Sequence, residues 1–187
     1  MRKTKWLAAA LGVSAWMVAV PSWADDPATA GALQIGVGFR YGVGLNDGDF
    51  NPWGTGLGLE VGYTLPLLHV YVGGNAEYFF GTTKQALDVK VDGNIWQVTA
   101  EGGYDFGFGH HVVLRPKLGL GYANVIGESC IGGADCLKSN DNQAVIAPGA
   151  KLILIASHFE LAFDARYDVV LSDPTAKALI FSLGIGF

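Results

Sequence analysis

The stretch Leu179-Ile180-Phe181-Ser182-Leu183-Gly184-Ile185-Gly186-Phe187 alternates with period two. Leu179, Phe181, Leu183, Ile185 and Phe187 are large and apolar. The interleaved positions Ala178, Ile180, Ser182, Gly184 and Gly186 are mostly small. Such alternation marks a strand with two unlike faces. A soluble domain rarely stops within a strand of this kind, because termini fray. A closed barrel can, because its last strand pairs with its first.

Working back from that tail, seven further segments alternate in the same way. They run from Leu33 to Leu45, Thr55 to Leu65, Leu68 to Phe80, Ile95 to Phe106, Val112 to Asn124, Ala144 to Ala156 and Phe159 to Val169. In the last of these, Phe159, Leu161, Phe163, Ala165 and Tyr167 face Glu160, Ala162, Asp164, Arg166 and Asp168. The sixth is the least regular, since Ile153 and Ile155 share the face that Lys151 marks as polar. Connections are short after the second, fourth and sixth segments: Pro66 and Leu67, Gly107 to His111, Ser157 and His158. They are longer after the first, third and fifth: Asn46 to Gly54, Gly81 to Asn94, Val125 to Gln143. The connection from Val170 to Lys177 is intermediate. Within Gly81 to Asn94, Ala86 to Asp92 is too short to span hydrocarbon, and Asp92-Gly93 is a hairpin signal. It reads as a hairpin projecting above the membrane.

The spacing predicts an all-β fold, an eight-stranded antiparallel up-and-down transmembrane β-barrel with short turns on one side and long loops on the other. A soluble lipocalin-like barrel has the same strand number but buries its apolar face. Three features favour lipid. The apolar face is aromatic at both strand ends: Tyr41, Tyr78, Phe80, Trp96, Tyr122 and Tyr167 towards the long loops, Tyr63, Tyr104, Phe106, Phe159 and Phe187 towards the short turns. Two girdles suit a membrane with two interfaces. The other face is rich in glycine, which leaves room in a narrow lumen. That face also carries Arg40, Arg115, Lys117, Lys151 and Arg166 beside Glu60, Glu77, Glu101, Asp105, Glu160, Asp164 and Asp168. Inside a barrel these charges can pair.

The tail Leu179-x-Phe181-x-Leu183-x-Ile185-x-Phe187 resembles the C-terminal assembly signal of bacterial outer-membrane barrels, in which a terminal aromatic is read by the barrel-insertion machinery. The chain from Leu33 to Phe187 is similar to the small eight-stranded outer-membrane β-barrel family, including opacity-type proteins and the membrane domain of outer-membrane protein A. That resemblance implies outer-membrane lipids and the insertion machinery as partners. It is specific for architecture and weak for function, since the family holds structural barrels, adhesins, small transporters and lipid-modifying enzymes. Unlike outer-membrane protein A, the sequence shows no peptidoglycan-binding domain after the last strand.

At the other end, Arg2, Lys3 and Lys5 precede an apolar run from Trp6 to Val20, then Pro21 and the triplet Ser22, Trp23, Ala24. This is the pattern of a signal peptide cleaved after Ala24. The domain reading is therefore residues 1–24 signal peptide, 25–32 a short periplasmic segment and 33–187 the barrel. The leader takes three of the 12 basic residues and none of the 17 acidic ones, leaving a mature net charge of −8. An acidic chain argues against nucleic acid as a partner. Export brings Cys130 and Cys136 into an oxidising compartment, which favours a local disulfide worth about 2 kcal/mol.

The chemistry that remains is limited. Strands eight, one and two hold nine of the fourteen inward glycines, Gly36, Gly38, Gly42, Gly44, Gly56, Gly58, Gly62, Gly184 and Gly186, so one wall is thin. Long side chains from the opposite wall fill the lumen, or the thin wall leaves a wet cavity or narrow channel; the filled barrel is favoured. His69, His110, His111 and His158 all fall near short turns, away from the outer-leaflet lipid that lipid-modifying barrel enzymes process. No serine on the long-loop side has a base beside it, so no catalytic site is assigned. The histidines could hold a metal, but polar turns explain them as well, and no metal or cofactor site is assigned. In the loops, Asn46-Asp47-Gly48-Asp49 is a fragment of a calcium loop without the ligand spacing or terminal Glu. Phe50, Trp53 and the cysteine-bearing loop could form a contact surface for an extracellular ligand; a solvated loop with an interfacial Trp is the favoured reading. The reading is a monomeric outer-membrane barrel with a structural or surface-interaction role. A small channel or transporter for small or hydrophobic compounds is the alternative.

Overall fold

The computed structural model describes residues 29–45, 53–81, 84–86, 89–131, 135–156, 159–173 and 175–187. The leader at 1–24, the segment 46–52 with its Asp47 and Asp49, and Asp88, Ser157 and His158 lie outside the described residues. Among the described residues there are ten strands: β1 (Leu33–Gly44), β2 (Gly54–Leu65), β3 (Val70–Phe79), β4 (Lys84–Ala86), β5 (Val89–Tyr104), β6 (Phe106–Phe108), β7 (Val112–Ile131), β8 (Asp135–Ala156), β9 (Phe159–Val170) and β10 (Ala176–Gly186).

Eight of them close an antiparallel ring. Each pairs with its neighbour in the order β1, β2, β3, β5, β7, β8, β9, β10, and β10 returns to β1. The closing seam runs from Gly36↔Gly186 to Gly44↔Ala178. Phe187 finishes it, donating its N–H to the Ile35 carbonyl at 3.0 Å and accepting from the Ile35 N–H at 3.1 Å. Strand β4 folds back on β5, and β6 prolongs β5 past Asp105 against β7. Closure leaves the barrel wall with no free edge, which is how a sheet can cross hydrocarbon.

Alternation sorts the side chains as the pleat requires. On β1, Ile35, Val37, Phe39, Tyr41 and Val43 face outward, with Phe39 72% exposed, while Gln34 and Arg40 are buried. The outward aromatics touch: Tyr78 packs edge-on to Phe80 at 5.2 Å between ring centres, Trp96 lies 5.6 Å from Tyr122, and Tyr104 lies 4.8 Å from Phe106.

Two expectations change. The segment Val125 to Gln143, read as a loop, is strand over most of its length: β7 and β8 pair without a break from Val112↔Leu154 to Ile131↔Asp135. A membrane crossing takes about 9–11 residues, so roughly half of each of these strands stands outside. The hairpin in the preceding connection joins β4 to β5 rather than turning at Asp92-Gly93. Ala86 pairs with Val89, while Asp92 and Gly93 sit within β5 opposite Glu128 and Gly127 on β7. A long ladder with β7 overrides the local turn preference of the Asp-Gly pair.

Candidate functional site

The barrel interior is stacked in tiers. At the short-turn mouth Arg115, on β7, is fully buried. Its Nε and Nη2 donate to Asp105 at 2.6 and 2.8 Å, a two-pronged contact that only a guanidinium makes. Nη2 also donates to Gln34 Oε1 across the barrel at 2.9 Å, and the guanidinium lies 3.6 Å over the Tyr71 ring. Thr64 and Thr29 each donate a hydroxyl to Asp105 Oδ2 at 2.8 Å. Thr29 precedes β1 and is fully buried; Ala30 bridges to Thr64, and the Gly31 N–H donates to the Thr64 carbonyl at 2.9 Å. Residues 29–32, the described part of the segment read as a short periplasmic extension, thus lie across the mouth.

The middle tier centres on Glu60 and Lys117. Lys151 reaches from β8 to Glu60 on β2 at 2.7 Å, and the Tyr71 hydroxyl donates to the same carboxylate at 2.9 Å. Lys117 pairs with Glu101 at 3.1 Å and with Asp164. Tyr71 lies flat against Gly62 and Gly73, where any Cβ would run into its ring or hydroxyl. Nearer the outer end, Arg40 pairs with Glu77 at 2.5 Å and Arg166 bridges Glu77 and Asp168. Gln97 donates to Asp168 at 2.8 Å. Arg40 crosses in front of Gly58, where a Cβ would stand 2.6 Å from its Nη2.

Of the twelve charges expected inside, eleven are buried; Glu160, near the periplasmic end of β9, is half-buried. Two of the ion pairs, Lys151–Glu60 and Arg166–Glu77, join strands on opposite walls, whereas Lys117–Glu101 joins neighbouring strands. The pattern of charges could not name the pairings, nor the roles of Tyr71, Gln34, Gln97, Thr64 and Thr29, which carry no charge and leave no spacing signal.

Above the charged tiers the interior turns apolar. Trp53, Phe79, Ile95, Ala123, Val145, Val170 and Ile180 are buried in one cluster at the outer ends of the strands. Phe79 follows Glu77 by two residues and Val170 follows Asp168 by two, so the same inward face passes from charge to hydrocarbon. Trp53, read from the sequence as an interfacial residue of a solvated loop or as part of a contact surface, is a buried member of this cluster. Along the thin wall a small cavity of about 30 Å³ is lined by Gly36, Gly184 and Gly186 together with Gln34, Arg40, Glu60, Lys151, Glu160, Asp164 and Ser182. That volume suits a water or two, not a pore.

The remaining candidates do not assemble. His110 and His111 are exposed and His69 is half-buried against Tyr104, with 6.1 Å between ring centres. Among the described residues no group of three or more His, Cys, Asp or Glu side chains is arranged to hold a metal ion.

Residues 7–187 match the family model described as outer membrane protein beta-barrel domain. The chain belongs to that family. Its place is therefore the bacterial outer membrane. Among solved structures the barrel is similar to Ail, the attachment invasion locus protein of Yersinia pestis. The TM-score is 0.59 at 20% identity, covering 84% of this chain and 97% of that one. Neisserial surface protein A gives 0.57 at 13% identity, covering 82% and 94%. A major outer membrane protein of Thermus thermophilus gives 0.62 at 13%, covering 83% and 99%. At these identities the likeness is one of fold. Comparison with curated protein sequences finds no match.

Proposed function

We propose that the protein is an integral outer-membrane barrel with a closed lumen, serving a structural or surface-interaction role through the sheet that stands above the membrane, and that it is not an enzyme. The observation that carries the closed lumen is the sequence of plugs along the interior. The Thr29–Asp105–Arg115 assembly crosses the periplasmic mouth, ion pairs join opposite walls in the middle, and the Trp53–Phe79–Ile95 cluster caps the outer end. An eight-stranded interior is narrow enough for side chains to fill.

The protruding element is the outer part of β5, β7 and β8. The β8–β9 ladder reaches outward only to Val145↔Val170, whereas the β7–β8 ladder runs on to Ile131↔Asp135. Residues 136–142 of β8 are all exposed, with Leu137 76% exposed. Cys130 and Cys136 stand directly opposite in that register, which supports a disulfide bracing the tip. Ail has also been solved with the heparin analogue sucrose octasulfate. A polyanion is a poor match for the outer segments of this chain, where Asp47, Asp49, Asp88, Asp92, Glu128, Asp135, Asp141 and Asp173 outnumber Lys84, Lys90 and Lys138. An extracellular ligand of these outer segments would be cationic or neutral.

The same reading has the leader cleaved after Ala24, the barrel inserted through recognition of the tail, and the folded protein monomeric. The small-channel alternative draws on the cavity along the glycine wall. Planar-bilayer recording of the purified, heat-modifiable barrel separates the two. The closed lumen gives no steady current; steady open-state currents would overturn it.

A further inference from the structure

We propose that the cavity behind the glycine wall binds a small monovalent metal cation, held by Asp164, Ser182 and Glu160 with water completing the shell. The first ground is charge. Among the described residues the interior holds five cationic side chains against seven carboxylates. Arg40 and Arg166 answer Glu77 and Asp168, Arg115 answers Asp105, and Lys151 answers Glu60. Lys117 is left to serve both Glu101 and Asp164, and among the described residues Glu160 has no ion pair. The two surplus negative charges therefore fall on the Asp164–Glu160 side, which is the side of the cavity. Uncompensated charge in a dry interior is costly, so a counter-ion there stabilises the fold.

The second ground is geometry. Asp164 is 8% exposed, and while one carboxylate oxygen meets Lys117, Oδ1 has no hydrogen-bond partner. Ser182 lies directly opposite Asp164 in the β9–β10 ladder, and its buried Oγ likewise has no partner. Glu160 stands on the same face of β9, beside Gly186, where a Cβ would be 3.4 Å from its Oε2. All three line the cavity. Arg40 and Lys151 line it too, but their charges are taken up by Glu77 and Glu60. Hard oxygen donors select alkali or alkaline-earth ions. Three protein oxygen groups in so small a space fall short of the six to eight oxygens that calcium gathers, which points to sodium or potassium.

The site goes beyond the closed-lumen reading and stands whatever the outer sheet contacts. Thallium(I) replaces alkali ions and scatters anomalously. Crystals of the detergent-solubilised barrel grown in thallium(I) nitrate are expected to show an anomalous peak between Asp164 Oδ1 and Ser182 Oγ. An ordered cavity with no such peak, holding water alone, would sink the idea. A second reading is the unfolding midpoint in sodium chloride against N-methyl-D-glucamine chloride at equal ionic strength. The midpoint should be higher in sodium, and the difference should shrink in Ser182→Ala and vanish in Asp164→Asn. Should Asp164→Asn fail to fold, Ser182→Ala, which leaves the Lys117 pair intact, still decides; equal midpoints for the wild-type barrel in the two salts reject the site.

Discussion

Arg115 shows how much of this barrel rests on single side chains. Its guanidinium grips Asp105 by two nitrogens, reaches Gln34 on the far wall and stacks on Tyr71, all without exposure to solvent. Removing one partner of a buried pair leaves the other charged and alone, at a cost of about 3–5 kcal/mol. Arg115→Met should lose that much in urea unfolding from detergent micelles. The double variant Arg115→Met with Asp105→Asn should recover part of the loss, since no orphan charge remains. If the double variant is as unstable as the single, the pair is not what holds this end together. Gly62 makes the complementary point about space. A side chain there must displace the Tyr71 ring, so Gly62→Val should cost about 1–3 kcal/mol through overpacking, read in the same assay. At this scale the sequence was half legible. Alternation sends Glu60, Arg115 and Lys151 inward because their neighbours Leu59, Leu114 and Leu152 need lipid. It cannot say that Lys151 meets Glu60, because that pairing depends on where the ring closes. Nor does anything mark Thr29, an ordinary hydroxyl in a short segment, as the residue that reaches Asp105.

Among the elements, the β7–β8 hairpin departs most from its sequence pattern. Its outer part is rich in Gly, Ser, Asn and Asp, the composition of turns, yet twenty consecutive residue pairs bind β7 to β8 from Val112↔Leu154 to Ile131↔Asp135. Register carried up from the membrane part, where apolar alternation is strong, decides what the local composition does not. The β8–β9 ladder shows the reverse. It lacks the rungs at Ala147 and Pro148 and resumes at Gly149↔Arg166. Proline has no N–H to give a ladder, so the break was written in the sequence at Pro148. The hairpin leads to a direct check with external protease on intact cells. Cleavage at the tip, between Cys130 and Cys136, should give two fragments on a reducing gel and one band without reductant. Two fragments without reductant would count against the disulfide. Complete resistance would count against a tip that stands clear of the surface.

For the whole molecule, closure is what turns eight amphipathic strands into one object. The seam between β1 and β10 is backbone hydrogen bonding from end to end, and Phe187 contributes to it through its main chain while its ring points outward, 72% exposed. Folded stability thus rests on the main chain of this residue, whereas the proposed assembly signal rests on its ring. Phe187→Ala keeps both hydrogen bonds to Ile35 and removes only outward-facing apolar surface, a loss of no more than about 2 kcal/mol. The refolded variant should keep its heat-modifiable mobility with a small drop in midpoint. In cells, where the alternating tail is proposed to be read during insertion, the same change should sharply reduce the amount recovered in the outer membrane. The two readouts must separate for the tail to be an assembly signal. A variant that refolds poorly in detergent, in proportion to its loss from cells, would make Phe187 a stabilising residue only. A variant that reaches the outer membrane at wild-type levels would remove the signal reading altogether. The seam would then stand as the whole reason for the alternation with which the chain ends.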